Sequence, residues 1–257
     1  MLAIHDLACS FGGLRAIDGC SLNVQRGTVT GLIGPNGAGK TTLFNIITGF
    51  ITPNSGRVYF RGRDITNFPP HRIFRRGLAR TFQIPREHDS MTVLENLMLV
   101  PVAQAGEHLW NNWFRPGLVR RQEQQNRDKA LEVLEFVDLT HMADEPAGSL
   151  SGGQKKLLEL ARTLMTDPEM VLLDEPGAGI NRTLMQRLAQ NVETLARERG
   201  ITFLLIEHDM DLVMRLCDPV IVMSEGRYLM EGAPEQVRSD PRVLDAYLGG
   251  QYAAADG

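Results

Sequence analysis

The segment Gly34-Pro-Asn-Gly-Ala-Gly-Lys40-Thr41 has the spacing G-x-x-x-x-G-K-[ST], a pattern of residue types suited to holding phosphate. Gly37 and Gly39 let backbone N–H groups turn inward around phosphate oxygens, and Gly34, Pro35, Asn36, Ala38 and Thr42 complete the loop. Lys40 supplies positive charge to the outer phosphates, and the Thr41 hydroxyl can ligate Mg²⁺. A second cluster follows an apolar run: Met170-Val-Leu-Leu173 leads into Asp174-Glu175-Pro176. Two carboxylates then sit at the end of a buried strand, the edge where open α/β sheets hold ligands. Asp174 suits the magnesium ion's water shell, and Glu175 suits proton removal from an attacking water. In the third, Leu150-Ser-Gly-Gly-Gln154 opens a helix. Ser151 is a natural N-cap, and its hydroxyl, the flexible Gly152 and Gly153, and the helix dipole make a second anion site. Taken by itself this cluster is equally explained by capping.

The elements that must position these groups follow from periodicity. Val29–Ile33 reads as a strand ending at Gly34, and Lys40 to about Thr48 as a helix stopped by Gly49. Residues 1–35 otherwise show Gly-rich turns and short β-branched runs, and Arg57–Phe60 with Gly62 reads as a hairpin. Residues 91–165 take a helical pattern. Strand and helix then alternate: 170–173, 183–198, 202–206, 211–216 and 220–223. Such alternation predicts a largely parallel sheet covered by helices.

Composition narrows the class. The chain has 257 residues, 43% hydrophobic and 23% charged, with a formal net charge of -4. It carries no basic excess for neutralising nucleic-acid phosphates, so nucleic acid is not an expected partner. Cys9, Cys20 and Cys217 form no metal-binding or disulfide pattern, which fits a reducing compartment. The start lacks a basic and apolar leader, and the apolar runs are of strand length, so neither export nor a membrane span is expected.

Leu150-Ser-Gly-Gly-Gln154, upstream of Asp174-Glu175 and downstream of the glycine loop, resembles the signature motif of ABC ATPases, and the resemblance covers nearly the whole chain. It implies an α/β fold: a P-loop NTPase (RecA-like) core with an antiparallel β subdomain and an inserted α-helical subdomain. The expected boundaries are 1–90 and 166–235 for the core, 91–165 for the helical subdomain and 236–257 for a helical tail. In that family the signature covers the γ-phosphate of ATP held by the opposite subunit, which implies two ATP molecules in a head-to-tail dimer. By the same resemblance Gln83 is the glutamine that touches Mg²⁺ and the attacking water. His208, in Leu205-Ile-Glu-His-Asp209, is the histidine that contacts the γ-phosphate, and Phe11 is the aromatic that stacks on adenine, with strand packing as its other reading. One departure is Gly177-Ala-Gly-Ile-Asn181, where most relatives carry an Asp; Asn181 keeps hydrogen-bonding ability and resembles the form in certain importers.

Finer details are similar to ATPase subunits of branched-chain amino acid importers: Ala79-Arg-Thr-Phe-Gln83, Ile206 to Met214, and Pro234 to Gly249. Urea and amide importers and the lipopolysaccharide exporter ATPase are the nearby alternatives. The stretch 106–127, with Trp110, Trp113 and Phe114, looks like the insertion carried by the amino acid importers; its aromatics serve either subdomain packing or a partner. The resemblance implies a second ATPase subunit, identical or related, two membrane permease subunits docking near 83–89, and indirectly a periplasmic or extracellular substrate-binding protein. It also implies a peripheral place on the cytoplasmic face of the inner membrane. On that reading, substituting Arg86, Glu87 and His88 uncouples transport from hydrolysis. A DNA-repair ABC ATPase would need long coiled coils, a translation-associated one two cassettes, and a kinase or GTPase its own acceptor or guanine motif; none is visible.

Overall fold

The computed structural model describes residues 1–81, 87–101, 104 and 109–253. In chain order the elements are β1 (Leu2–Phe11), β2 (Leu14–Val24), β3 (Val29–Ile33), α1 (Lys40–Ile47), β4 (Ser55–Phe60), β5 (Arg63–Asp64), α2 (Pro70–Phe74), β6 (Leu78–Arg80) and α3 (Val93–Met98). They continue with α4 (Leu109–Phe114), α5 (Pro116–Phe136), α6 (Gly152–Leu164), β7 (Met170–Asp174), α7 (Arg182–Arg199), β8 (Thr202–Ile206) and α8 (Met210–Leu216). β9 (Val220–Ser224), β10 (Arg227–Gly232), α9 (Pro234–Ser239) and α10 (Pro241–Ala253) complete the run.

Two compact units share these elements. One comprises Met1–Arg80, Glu169–Gly177 and Val192–Gly257; the other comprises Thr81–Pro168 and Ala178–Asn191.

The first unit contains, among the described residues, a sheet in the order β10-β9-β3-β8-β7-β6. Pairing is parallel from β9 to β6, with β10 antiparallel at the edge. Every residue of β3, β7 and β8 is buried, as expected of strands covered on both faces, and this is why they read as near-continuous apolar runs. A second, antiparallel sheet has the order β2-β1-β4-β5. Its first two strands are long, where the sequence suggested turns and short runs. The reason is bulging: the β1–β2 register shifts between Ile4 and Leu7, Leu7 and Ala8, and Cys9 and Ser10, with Asp6 at φ 44, so the strict alternation that marks a strand is broken. Leu43, Phe44, Ile46 and Ile47 of α1 join Ile4, Leu7 and Ile17 of this sheet and Leu32, Leu172 and Leu204 of the other in one apolar cluster. Burying each such side chain contributes about 1.5–3 kcal/mol, enough to hold α1 rigidly.

The second unit is helical among its described residues. α3 starts at a capping box, with the Glu95 N–H donating to Thr92 Oγ1 at 3.1 Å and the Thr92 N–H to Glu95 Oε2 at 2.8 Å. α5 buries Val119, Ala130, Val133 and Leu134, and α6 buries Leu157, Leu158, Ala161 and Leu164, spacings that lay one apolar stripe inward on each helix. No described helix is long and apolar enough to cross a membrane.

Candidate functional site

The glycine loop lies between β3 and α1, and its shape depends on Gly39. That residue sits at φ 94, and a Cβ there would come within 2.5 Å of the Ala16 carbonyl oxygen. α1 then begins with no side-chain cap, leaving its first turn available to an anion. Lys40 is buried; its ammonium donates to the Gly34 and Pro35 carbonyls at 2.7 and 3.0 Å, so the lysine braces the loop from within. Burial pushes the Lys40 pKa down, while the charges of Glu175 and Asp174 oppose that shift. At the loop's start, the Gly34 backbone hydrogen-bonds the Tyr247 hydroxyl of α10, whose pKa burial raises.

β7 delivers the two carboxylates. Asp174 closes the strand, and Glu175 follows at φ 50, a left-handed conformation rare for a non-glycine residue; its N–H donates to the Ile206 carbonyl at 2.9 Å. The turn aims the Glu175 carboxylate at His208, with Oε1 and Nε2 3.1 Å apart. A cleft of about 360 Å³ is lined by Phe11 and Arg15, by residues 36–42 of the loop and the start of α1, and by Glu175 and His208. Phe11 ends β1 half exposed. Thr41, in the first turn of α1, is exposed, and Asp174, at the end of β7, is buried. A hydroxyl and a carboxylate are hard oxygen donors, so the residues present fit Mg²⁺ completed by phosphate and water. Gln83 and Arg86 lie outside the described residues.

In the second unit, Ser151 caps α6 through a reciprocal box. The Gln154 N–H reaches Ser151 Oγ at 3.4 Å, and the Ser151 N–H reaches Gln154 Oε1 at 2.9 Å. Ser151 and Gly152 are exposed, whereas Gly153 is buried against Leu184. Asn181 Oδ1 accepts from the Leu184 N–H at 2.9 Å, capping α7; an Asp could do the same, so the Asn keeps this local role. Within the stretch 83–89, Glu87 is paired with Lys155 of α6 at 2.5 Å, and the His88 backbone is stapled by buried Asn96.

Two residues at the site were given no role in the sequence. Arg80 ends β6, and its guanidinium meets Asp174 Oδ2 at 2.7 Å with side chains 7% and 1% exposed. It also donates to Asn45 Oδ1 of α1 at 2.6 Å and lies 5.6 Å from the Phe44 ring centroid. Glu207, likewise buried, accepts the Gly177 N–H on Oε1 at 2.6 Å and the His208 N–H on Oε2 at 2.9 Å. The signal was present in each case: a charge placed directly at the end of an apolar strand.

Comparison with known proteins follows the same lines. Residues 17–178 match the ABC transporter family, and residues 229–253 match the family described as branched-chain amino acid ATP-binding cassette transporter. The chain is 43% identical to the probable branched-chain amino acid transport ATP-binding protein LivG of Methanocaldococcus jannaschii, covering 97% of each. It is 42% identical to the high-affinity branched-chain amino acid transport ATP-binding protein BraF of Pseudomonas aeruginosa, over 97% of this chain and 98% of that protein. A crystal structure of a nucleotide-free ATP-binding cassette from an ABC transporter superposes with a TM-score of 0.83 at 42% identity, over 96% and 98% of the two chains. A cassette in its ADP conformation gives 0.82 at 42% identity, over 97% and 98%. The cleft, its glycine loop and these full-length likenesses together place the chain in the ABC transporter family, as an ATP-binding subunit whose ATPase activity is coupled to transport.

Proposed function

We propose that the chain is the ATP-hydrolysing subunit of an importer for branched-chain amino acids, lying against the cytoplasmic face of the membrane beneath two permease subunits. The observation that carries the hydrolytic part is the cleft that gathers Phe11, the glycine loop, Glu175 and His208. Phe11 stacks on the adenine, the N–H groups of residues 37–42 surround the phosphates, and Lys40 leaves its carbonyl partners for the outer phosphates. Thr41, Asp174 and Gln83 would hold Mg²⁺, which when bound would neutralise charge on the phosphate oxygens. Glu175 takes a proton from a water as its oxygen bonds to the γ-phosphorus; the bond to the β–γ bridging oxygen breaks, and ADP and phosphate leave. His208 orients the γ-phosphate beside Glu175.

Ser151 to Gln154 of a second cassette, identical or related, cap the same phosphate, so turnover requires a dimer. The helical subdomain that carries them spans 91–165. Dimer closure and reopening rock the permeases between their two access states. The match of residues 229–253 supports branched-chain amino acids over urea, amides or lipopolysaccharide.

Glu175→Gln tests the mechanism: ATP binding stays, turnover falls about 10²–10⁴-fold, and an ATP-stable dimer accumulates on gel filtration. Turnover at the unsubstituted rate rejects Glu175 as the base. Reconstitution with the membrane subunits tests the solute: ATP-driven uptake of leucine, isoleucine or valine is expected, and uptake of urea in their place overturns it.

A further inference from the structure

Helix α4 carries the chain's only two tryptophans, and they point outward. Trp110, Trp113 and Phe114 stand at i, i+3 and i+4, one helical face about 100° wide, and their exposures are 74%, 83% and 63%. Trp110 and Phe114 lie against each other with centroids 4.6 Å apart and ring planes 34° apart, and the face they form is apolar and exposed. Leu118, at the start of α5, is 48% exposed as well.

The charge beside this face is as uneven as its polarity. Residues 110–127 hold four arginines, Arg115, Arg120, Arg121 and Arg127, against the single acid Glu123, a local +3 in a chain of net -4. All four are exposed, and among the described residues none forms an ion pair. α5 turns its apolar stripe of Val119, Ala130, Val133 and Leu134 inward, so its arginines lie on the flanks and outer face.

Tryptophan rings next to arginines are the chemistry of a membrane–water boundary: amphipathic rings at headgroup depth, with cations among lipid phosphates. A protein partner of ordinary polarity would supply matching acids or a groove; a lipid surface needs only the apolar face and surplus positive charge found here. We propose that α4 and the first half of α5 form a foot that rests on an anionic lipid surface, independently of the permeases and of the solute transported.

The experiment uses the whole chain and its own two tryptophans as the probe. On adding vesicles of phosphatidylglycerol and phosphatidylcholine, Trp emission should shift to the blue, brominated acyl chains should quench it, and high salt should reverse the change; vesicles of phosphatidylcholine alone should shift it weakly. Neutralising the four arginines to Gln, which leaves both reporters in place, should lower partitioning roughly a hundredfold or more, at about fivefold per surface arginine. A Trp110→Ser/Trp113→Ser/Phe114→Ser variant should fail to co-sediment with the vesicles. Both variants alter only exposed side chains and should keep the basal ATPase rate, which shows that they fold.

Unchanged emission and no co-sedimentation with anionic vesicles overturn the proposal. So does equal binding to phosphatidylcholine alone. A blue shift that grows with protein concentration in lipid-free buffer assigns the face to a second copy, and one that appears only with the permeases assigns it to them; either result overturns the lipid reading. All these outcomes leave the hydrolytic assignment standing.

Discussion

Arg80→Ala should be among the most damaging single substitutions outside the glycine loop. The pair it breaks is buried, with Arg80 7% and Asp174 1% exposed at 2.7 Å, so solvent screens it little. Removing one member of a buried pair leaves the other charge in a medium that cannot solvate it, at about 3–5 kcal/mol. The Asn45 side chain loses its 2.6 Å donor in the same step. Against a typical domain stability of about 5–15 kcal/mol, that is a large fraction. Urea denaturation followed by far-ultraviolet circular dichroism reads the loss directly. A double-mutant cycle assigns it: Arg80→Met and Asp174→Asn should each be costly, and together far less than their sum, with a coupling of about 2 kcal/mol or more. A loss under about 1 kcal/mol with additive singles would refute the reasoning, because the guanidinium would then be a packing group rather than the partner of Asp174.

Other outcomes follow from single contacts. Gly39→Ala should abolish binding of a fluorescent ATP analogue, since its Cβ meets the Ala16 carbonyl at 2.5 Å; retained affinity would mean the loop relaxes. Glu207→Gln keeps the shape but can accept on only one side-chain atom. Steady-state turnover should fall about tenfold or more while ATP affinity holds, and unchanged kcat would count against its positioning role. The buried thiols should resist Ellman's reagent in the native protein at pH 8 and react once it is denatured; rapid native labelling would contradict their burial. Burial is the main cause that raises Cys20 to about 11 and Cys217 to about 12 from 9.0. Because the folded pKa is the higher one, their contribution to stability is complete below pH 9 and is lost as pH rises through 11 to 12, which alkaline denaturation curves should show.

The parts of the fold legible in sequence were those whose signal is local. β3, β7 and β8 are apolar from end to end because both faces are covered, and α1 is bounded by Gly39 and Gly49, so their positions read to within a residue or so. Ser151 announced its helix because capping is a contact with its own neighbours. β1 and β2 were illegible as a pair because bulges break their alternation. The roles of Arg80 and Glu207 depend on partners far along the chain, Asp174 at 94 residues and Gly177 at 30, and no window of sequence displays such a pairing. The aromatics of α4 could be singled out by type, but their exposure emerged only with the helix in place.

Glu207 grips two loops with one carboxylate, Gly177 through Oε1 and His208 through Oε2. The segment leaving β7 and the segment leaving β8 are thereby yoked, and neither can slide by more than a hydrogen bond's tolerance without dragging the other. A tug on Gly177 from the residues that follow it is therefore also a tug on the histidine. A displacement at one strand's exit is thereby felt at the other, so Gly177 and His208 move together through one shared carboxylate.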